Sequence, residues 1–274
     1  MNLKDRIIIA ALTDTGLVRR KNEDSMGYDS TLGLAVLADG MGGHRGGEIA
    51  SSMTVDTVID LLQQQLPQIK PGQTDSKSGY SLESICIQEA IESANDLVFK
   101  AADANPKHSG MGTTIIVLLF HNNALSLVHI GDSRCYRLRT DTFEQLSKDH
   151  SLLQELIDRG FYTRAEARNS QNKNLVTRAL GIDPLVTADI QEDIVLKNDI
   201  YLLCSDGLSD YVEDEYIYLT IKRFSDNLEE AAKQLITKAN QNGGKDNISV
   251  MLCRIDDDFS SEQGWLDKFV ARFD

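Results

Sequence analysis

The stretch LGLAVLADGMGGHRGGE, Leu32 to Glu48, sets an apolar run against one carboxylate, Asp39, and gives five of the next eight residues to glycine. The run predicts a buried strand that ends at Asp39. The loop is not a dinucleotide-binding fingerprint, because Arg45 stands where G-x-G-x-x-G, counted from Gly40, requires its third glycine. Without a Cβ, Gly40 can turn its carbonyl toward a cation that Asp39 binds.

Strands and long helices alternate along the rest of the chain. Runs rich in Ile, Val, Leu and Thr predict strands at 6–14, 32–39, 112–120, 124–132, 135–139, 199–206 and 247–255. Helical spacing covers about 46–66, 81–102 and 227–242. This is not a strict βαβ series, so we predict an α/β (α+β) class with helices outside central sheets, and not a doubly wound parallel sheet.

Two polar stretches and the last residues are predicted to lie outside this regular structure. Residues 67–81 are expected to form an exposed loop, and 147–184 a long connection without a strand. Long connections in compact domains are commonly functional lids or binding loops. We place the domain at 1–255 and an acidic, amphipathic tail at 256–274. Its stripe of Trp265, Phe269 and Phe273 is expected to dock on the domain itself, and a partner-binding or membrane-proximal helix is the alternative.

Charge and composition exclude several classes of protein. Forty-two acidic against 28 basic residues give a formal charge of −14 over 274 residues, which argues against nucleic-acid binding and against an anionic membrane face. No run approaches the roughly 18 apolar residues that span a bilayer, and a cytoplasmic location is the expectation. The four cysteines lie far apart, mostly in apolar runs, and are expected to be free and buried.

Four aspartates occur at the ends of predicted strands: Asp39, Asp132, Asp206 and, just before the last strand, Asp246. One such residue is usually a turn or helix cap. Four that converge without buried lysines or arginines require a cation, and ligands that are all oxygen favour Mg²⁺ or Mn²⁺ over zinc. Arg19, in GLVRRKNEDS, is either a surface arginine or a guanidinium that grips phosphate oxygens.

Seven ordered motifs over about residues 10–255 resemble the metal-dependent PP2C (PPM) family of protein serine/threonine phosphatases, in its bacterial form. They are TDTGLVRRKNED, LADGMGGHRGGE, GMGTT, HIGDSRCYRL, LVTRALG, CSDGLSD and GGKDNISV. The resemblance implies a four-layer αββα sandwich with two antiparallel sheets and a metal cluster between them at one end. It also implies hydrolysis of phosphoserine and phosphothreonine in proteins by a hydroxide shared between two metals, without a covalent phosphoenzyme.

The resemblance assigns the metal ligands residue by residue. Asp39 matches the carboxylate that bridges two ions, and the Gly40 carbonyl matches a ligand of the second ion. Asp206 and Asp246 match further ligands of the first ion. Asp132, together with Asp206, matches the pair that holds a third, weaker ion in bacterial members. The implied cofactor is Mg²⁺ or Mn²⁺.

The remaining assignments concern the phosphate and the surroundings of the metals. Arg19 matches the phosphate-gripping arginine, Asp24 the acid that orders metal-bound water, and 147–184 the mobile flap. His44 is not assigned the role of the general acid of animal members. Its position in the motif differs from theirs, and an ordinary polar residue of a loop or helix start explains it at least as well. The implied partners are phosphoprotein substrates and a cognate serine/threonine kinase, and we expect a monomer.

Two alternatives remain open from the sequence. A pseudophosphatase of the same fold, acting as a binding module, predicts lost ligands, yet Asp39, Asp206, Asp246 and Arg19 are present. A phosphatase of small phosphoesters or nucleotides shares the chemistry and differs in substrate size, which the motifs do not decide.

Overall fold

The chain is described from a computed structural model, over residues 3–43, 46–70, 72–163, 166 and 175–260. The strands are β1 (Ile7–Asp14), β2 (Asp24–Asp29), β3 (Leu34–Met41), β4 (Gly112–Thr113), β5 (Ile115–His121), β6 (Ala124–Ile130), β7 (Arg134–Arg139), β8 (Thr142–Gln145), β9 (Asp189–Ile194), β10 (Ile200–Cys204) and β11 (Ile248–Ile255). The α-helices used below are α1 (Gly46–Gln65), α2 (Leu82–Ala104), α3 (Leu152–Asp158), α4 (Asp206–Ser209), α5 (Asp214–Arg223) and α6 (Leu228–Gln241).

Two antiparallel sheets form the middle of the molecule. The first has the strand order β1-β11-β10-β7-β8, and the second has the order β2-β3-β5-β6-β9, with β4 paired to the end of β3. Neighbouring strands run antiparallel throughout both sheets. The predicted class, a layered sandwich and not a parallel doubly wound sheet, is confirmed.

Three apolar clusters separate four layers. The cluster between the sheets includes Leu37 and Phe120 from the second sheet and Tyr201 and Met251 from the first. The rings of Phe120 and Tyr201 meet edge to face, with centroids 5.2 Å apart. A second cluster joins α1 and α2 to the outer face of the second sheet, and a third joins α5 and α6 to the outer face of the first. The central strands are buried on both faces, and the expected αββα order is confirmed.

Capping residues set where the long helices begin. The Ser81 hydroxyl accepts the Ser84 N–H at 3.1 Å and starts α2, and the Asn227 side chain accepts the Glu230 N–H at 3.1 Å and starts α6. Both starts agree with the predicted helices to within one residue.

The strands that the sequence did not predict are β2, β8 and β9, and they lie at the edges of the sheets. Their residues are mostly half-buried or exposed, as in DSMGYD, TFEQ and DIQEDI, so they lack a buried apolar face. The predicted strand 112–120 is divided at Thr114 into β4 and β5. Helix α5 was also not predicted.

The segment after β11 begins on the body of the domain. Phe259 is 1% exposed within the cluster between the sheets, and its N–H donates to Asn123 Oδ1 at 2.7 Å. The domain boundary at 255 stays a prediction, and Trp265, Phe269 and Phe273 lie outside the described residues. Across the described ranges, no helix is long and apolar enough to cross a membrane.

Candidate functional site

Asp39 lies beside Asp24 on neighbouring strands of the second sheet. The two are register partners in the β2–β3 ladder, and β3 continues past the predicted end at Asp39 to Met41. Thr114 holds the main chain of Asp39, because the Asp39 N–H donates to Thr114 Oγ1 at 3.0 Å and the Thr114 N–H donates to the Asp39 carbonyl at 2.9 Å. Asp39 is therefore anchored between β3 and the β4–β5 break.

Three more carboxylates reach this end of the sandwich from connections between strands. Asp132 follows β6, Asp206 begins α4 directly after β10, and Asp246 precedes β11. Burial raises the pKa of Asp39 well above its usual value, and the negative charges of Asp24, Asp206, Asp132 and Asp246, in that order, raise it further. The four predicted strand-end carboxylates are therefore brought together, with Asp24 among them.

Mutual repulsion makes this cluster a site for cations. Burial, then the charge of Asp132, raises the pKa of Asp206 well above its usual value. Burial, then the charge of Asp149, raises the pKa of Asp132 to about 6. At neutral pH such a set is stable when a cation balances it, and oxygen donors alone suit a hard divalent ion. The residues present therefore fit Mg²⁺ or Mn²⁺.

Asp24 links the two sheets beside Asp39. Its Oδ2 accepts the hydroxyls of Ser205 at 2.8 Å and Ser249 at 2.6 Å, both from the first sheet's side, while no donor from the described residues reaches the buried Oδ1. Burial raises the pKa of Asp24 to about 6, although the hydrogen bonds from Ser249 and Ser205 lower it. Among the neighbouring charges, that of Asp24 does most to raise the pKa of Asp39, so these two buried carboxyl groups on paired strands need a proton or a cation to balance them.

Arg19 contacts the cluster through an ion pair with Asp246. Its Nη2 donates to Asp246 Oδ2 at 2.7 Å, and its side chain is 51% exposed. The loop that carries Arg19 is held by Asn247, whose side-chain amide donates to the carbonyls of Thr15 at 2.9 Å and Lys21 at 2.8 Å. Arg19 therefore lies at the mouth of the cluster, on a loop that is fastened next to Asp246.

Gly40 is required by packing as well as by any role of its carbonyl. A Cβ at this position would lie 2.2 Å from the Gly47 carbonyl oxygen and 2.5 Å from that of Glu23. The end of β3 thus meets the first turn of α1 with no space for a side chain. The glycines of the quoted stretch allow the strand and the helix to touch beside Asp39.

Residues 12–248 match the family described as protein phosphatase 2C. The chain belongs to this family. It is 34% identical over 243 residues to the serine/threonine phosphatase stp of Listeria innocua, covering 88% of this chain and 92% of that protein. It is 39% identical over 249 residues to the serine/threonine protein phosphatase PstP of Mycobacterium tuberculosis, covering 90% of this chain and 45% of PstP, so it spans about half of that relative.

Solved structures of the protein phosphatase 2C family share the whole fold. The crystal structure of Mycobacterium tuberculosis PstP/Ppp has a TM-score of 0.81 at 37% identity, covering 92% of this chain and 100% of that one. The PstP catalytic domain in complex with two manganese ions has a TM-score of 0.78 at 37% identity, covering 92% of this chain and 99% of that one. The predicted family, fold and class of enzyme, a serine/threonine protein phosphatase, are confirmed.

A cleft of about 1260 Å³ opens beside the carboxylate cluster of this phosphatase. It is lined by Asp132 and Asp206 of the cluster and by residues of α3. Further acidic side chains, Asp149, Asp210 and Glu213 among them, also line it. Helix α3 belongs to the predicted flap, 147–184, of which 147–163, 166 and 175–184 are described and contain no strand.

Within the described ranges, one group of His, Cys or acidic side chains places three ligand atoms within 4.8 Å of one another: His129, His150 and Asp189. The aspartates around Asp39 are not in such a group.

Sequence reasoning missed the residues that hold the carboxylates in place. Thr114, Ser205, Asn247 and Ser249 bond to Asp39, Asp24 or the Arg19 loop. Each lies within one of the quoted motifs GMGTT, CSDGLSD and GGKDNISV. From the sequence alone, however, small polar residues of this kind cannot be told from ordinary turn formers. His44 lies outside the described residues.

Proposed function

We propose that this phosphatase hydrolyses phosphoserine and phosphothreonine in proteins with the help of two divalent cations, Mg²⁺ or Mn²⁺, held by the carboxylate cluster. The observation that carries the proposal is the convergence of Asp24, Asp39, Asp132, Asp206 and Asp246, since the charges of the other four raise the pKa of Asp39 and those of Asp132, Asp246 and Asp24 raise the pKa of Asp206. A buried cluster of this sign is costly without cations. Retention of all these residues favours an enzyme over a pseudophosphatase.

The ligand roles are assigned to the chain as follows. Asp39, Asp206 and Asp246 would hold one ion, and Asp39 with the Gly40 carbonyl would hold a second. Asp132, with Asp206, would hold a third, weaker ion. The position of Asp39 at the centre of the cluster supports its bridging role. When bound, such ions supply Lewis acidity for water and substrate and neutralise phosphoryl charge.

Arg19 grips the phosphoryl group of the substrate in this proposal. In the structure its guanidinium pairs with Asp246. A carboxylate that binds a cation is a weaker partner for an arginine, because the cation already neutralises its charge. The Arg19 fork is then available to two phosphate oxygens, and its partial exposure leaves room for a substrate.

Asp24 orients water at the cluster. Its Oδ2 is fixed by Ser205 and Ser249, and its Oδ1 has no donor in the part of the chain that the structure describes, so Oδ1 can accept a hydrogen bond from water. Fixing one oxygen leaves the other with a defined direction. This is the preorganisation that a proton-accepting or water-ordering group needs.

A protein substrate is favoured over a small phosphoester. The cleft of about 1260 Å³ lined by Asp206 and α3 has more room than a phosphorylated side chain alone needs, which favours a peptide over a metabolite. A cognate kinase, a monomeric state and a cytoplasmic location stay predictions.

Metal-dependent turnover tests the proposal. A phosphothreonine peptide and a small ester such as p-nitrophenyl phosphate are assayed with EDTA and with Mn²⁺. We expect turnover only with the metal and a higher kcat/KM for the peptide. Asp29→Asn, an acid at the far end of β2, is the matched control and should retain activity. Metal-independent turnover, or a preference for small esters, would contradict the proposal.

A further inference from the structure

His150 lies at the start of the flap and is almost completely buried, with 5% exposure. Its ring stacks on that of His129, with centroids 4.9 Å apart and planes 18° apart. His129 Nε2 in turn bonds to the Lys148 carbonyl at 2.9 Å. The charged groups that face His150 are Asp189 from β9 and Arg178 from the end of the flap. None of these residues has a role in the proposed chemistry.

His150 pairs with the residue before Asp132. The Gly131 N–H donates to His150 Nδ1 at 3.1 Å, and the His150 N–H donates to the Gly131 carbonyl at 2.9 Å. Gly131 has φ +109°, and a Cβ there would lie 2.5 Å from the Thr114 side chain. Side chain and main chain of His150 thus both hold the turn that directs Asp132 into the cluster.

The same histidine also holds the far end of the flap. The Thr177 N–H donates to the His150 carbonyl at 2.8 Å, and the neighbouring Leu152 N–H donates to the Leu175 carbonyl at 2.9 Å. His150 Nε2 lies 3.3 Å from Asp189 Oδ2, and Arg178 donates to the other oxygen of Asp189 at 2.9 Å. Both ends of the flap and the Asp132 turn therefore meet at one residue.

The hydrogen bonds argue against a metal on His129, His150 and Asp189, although their ligand atoms lie within 4.8 Å of one another. A neutral imidazole has one nitrogen lone pair. The Gly131 N–H occupies that lone pair at Nδ1, so the proton lies on Nε2, where it donates to Asp189. The Arg178 guanidinium, 3.3 Å from Nε2, adds a positive charge where a metal would have to bind.

We propose that His150 is a positioning residue that couples the flap to Asp132. A flap held at Lys148–Leu152 and Leu175–Arg178 keeps the Nδ1 acceptor against Gly131, and that contact sets the direction of Asp132. Loss of the acceptor loosens the turn and the flap together. The inference rests on the proposed role of Asp132 as a metal ligand.

Two substitutions test the contact of Nδ1 with Gly131 and the contact of Nε2 with Asp189 one at a time. In His150→Asn the amide oxygen takes the place of Nδ1 and accepts the Gly131 N–H, while the contact to Asp189 is lost. In His150→Gln the amide reaches the place of Nε2 and donates to Asp189, while Gly131 loses its acceptor. Asp189→Asn keeps an oxygen for the Nε2 proton and serves as the matched control on the exposed side.

Hydrogen exchange at the peptide that contains Gly131 is the first measurement, because it needs neither metal nor turnover. We expect wild-type protection in His150→Asn and Asp189→Asn, and faster exchange there and at 148–152 in His150→Gln. In Mn²⁺ titrations of activity, His150→Gln should show a kcat lower by roughly tenfold or more and a higher Mn²⁺ requirement, with KM nearly unchanged. His150→Asn should recover most of that loss.

Several results would overturn the inference. Wild-type exchange and a wild-type Mn²⁺ requirement in His150→Gln would remove the coupling, and equal losses in both His150 variants would reduce His150 to a packing residue. One equivalent of Zn²⁺ bound by the wild type and lost in Asp189→Asn would make the group a metal site. If the wild type lacked metal-dependent turnover, the proposed function would fail, while the exchange data would still report on the Gly131 contact. Melting temperatures identify any variant that fails to fold. If His150→Gln fails, His150→Asn and Asp189→Asn are compared with wild type, and faster exchange at Gly131 in His150→Asn would contradict the inference.

Discussion

Replacing Asp24 by asparagine is expected to stabilise the metal-free protein and to reduce its activity. The folded protein raises the pKa of Asp24 from 3.8 to about 6, which corresponds to about 3 kcal/mol against the ionised form. The hydroxyls of Ser205 and Ser249 can donate to the amide oxygen as they do to Oδ2, and the amide nitrogen can donate toward Asp39. The substitution therefore removes a charge and retains the hydrogen bonds.

The sign of the pH dependence follows from the raised pKa. A carboxyl group with a folded pKa above its unfolded value opposes folding as it ionises, so the penalty is absent below about pH 4 and complete above about pH 6 to 7. The metal-free wild type should lose stability over this range. Asp24→Asn should be more stable than wild type by up to about 3 kcal/mol at pH 7.5 and nearly equal to it at pH 4.

Urea unfolding of EDTA-treated protein at the two pH values measures this difference. Asp29→Asn, on the same strand, is the control: burial raises the pKa of Asp29, but hydrogen bonds from Thr31 and Gln63 outweigh it and the net direction is down. That variant should gain no stability at pH 7.5. Equal stability of wild type and Asp24→Asn at pH 7.5, or a gain that does not depend on pH, would refute the view that repulsion among the carboxylates destabilises the metal-free site.

The remaining predictions concern the phosphate grip, the cleft and the end of the chain. Arg19→Ala should raise KM for a phosphopeptide by roughly tenfold or more, since a charge-assisted hydrogen bond contributes about 1.5–3 kcal/mol, and an unchanged KM in steady-state kinetics would count against the grip. Phosphopeptides with lysines beside the phosphothreonine should have a lower KM than those with glutamates, and the gap should shrink with added salt because the cleft is acidic; equal KM values at low salt would oppose this. Phe259→Ala should lower the free energy of unfolding by about 3 kcal/mol, whereas Leu185→Ala, at a side chain 87% exposed, should change it little; an equal loss in both would show that Phe259 does not pack between the sheets.

The central strands were predictable because burial on both faces gives continuous apolar sequences. IIVLLF in β5 and YLLC in β10 are examples. The edge strands β2, β8 and β9 were not predictable, since their sequences are dominated by polar residues. For the same reason Asp24 was placed by family resemblance and not by strand pattern, although β2 aligns it with Asp39. The edge strand β1 was predicted, because its sequence, IIIAALTD, is largely apolar.

Some residues of the candidate site were likewise predictable from the sequence, and others were not. The carboxylates at strand ends gave a signal because four of them, Asp39, Asp132, Asp206 and Asp246, recur at the ends of predicted strands. The residues that position them are Thr114, Ser205, Asn247 and Ser249, and their partners are distant in the chain: Ser249 and Asp24 are separated by 225 positions. A contact of that kind depends on which strands of opposite sheets face each other, which single-sequence periodicity does not contain. His150 belongs to this group, since its partner Gly131 lies on another element.

The central claim is that the carboxylate cluster holds the divalent ions that turnover requires. Calorimetric titration of wild type and of Asp39→Asn with Mn²⁺ tests it most directly. Turnover of a phosphothreonine peptide is measured on the same samples. The account predicts that wild type binds two ions with high affinity and that turnover rises with their occupancy. It predicts that Asp39→Asn, which removes the carboxylate at the centre of the cluster, loses high-affinity binding and turnover together. Wild-type Mn²⁺ affinity and turnover in Asp39→Asn would contradict the account.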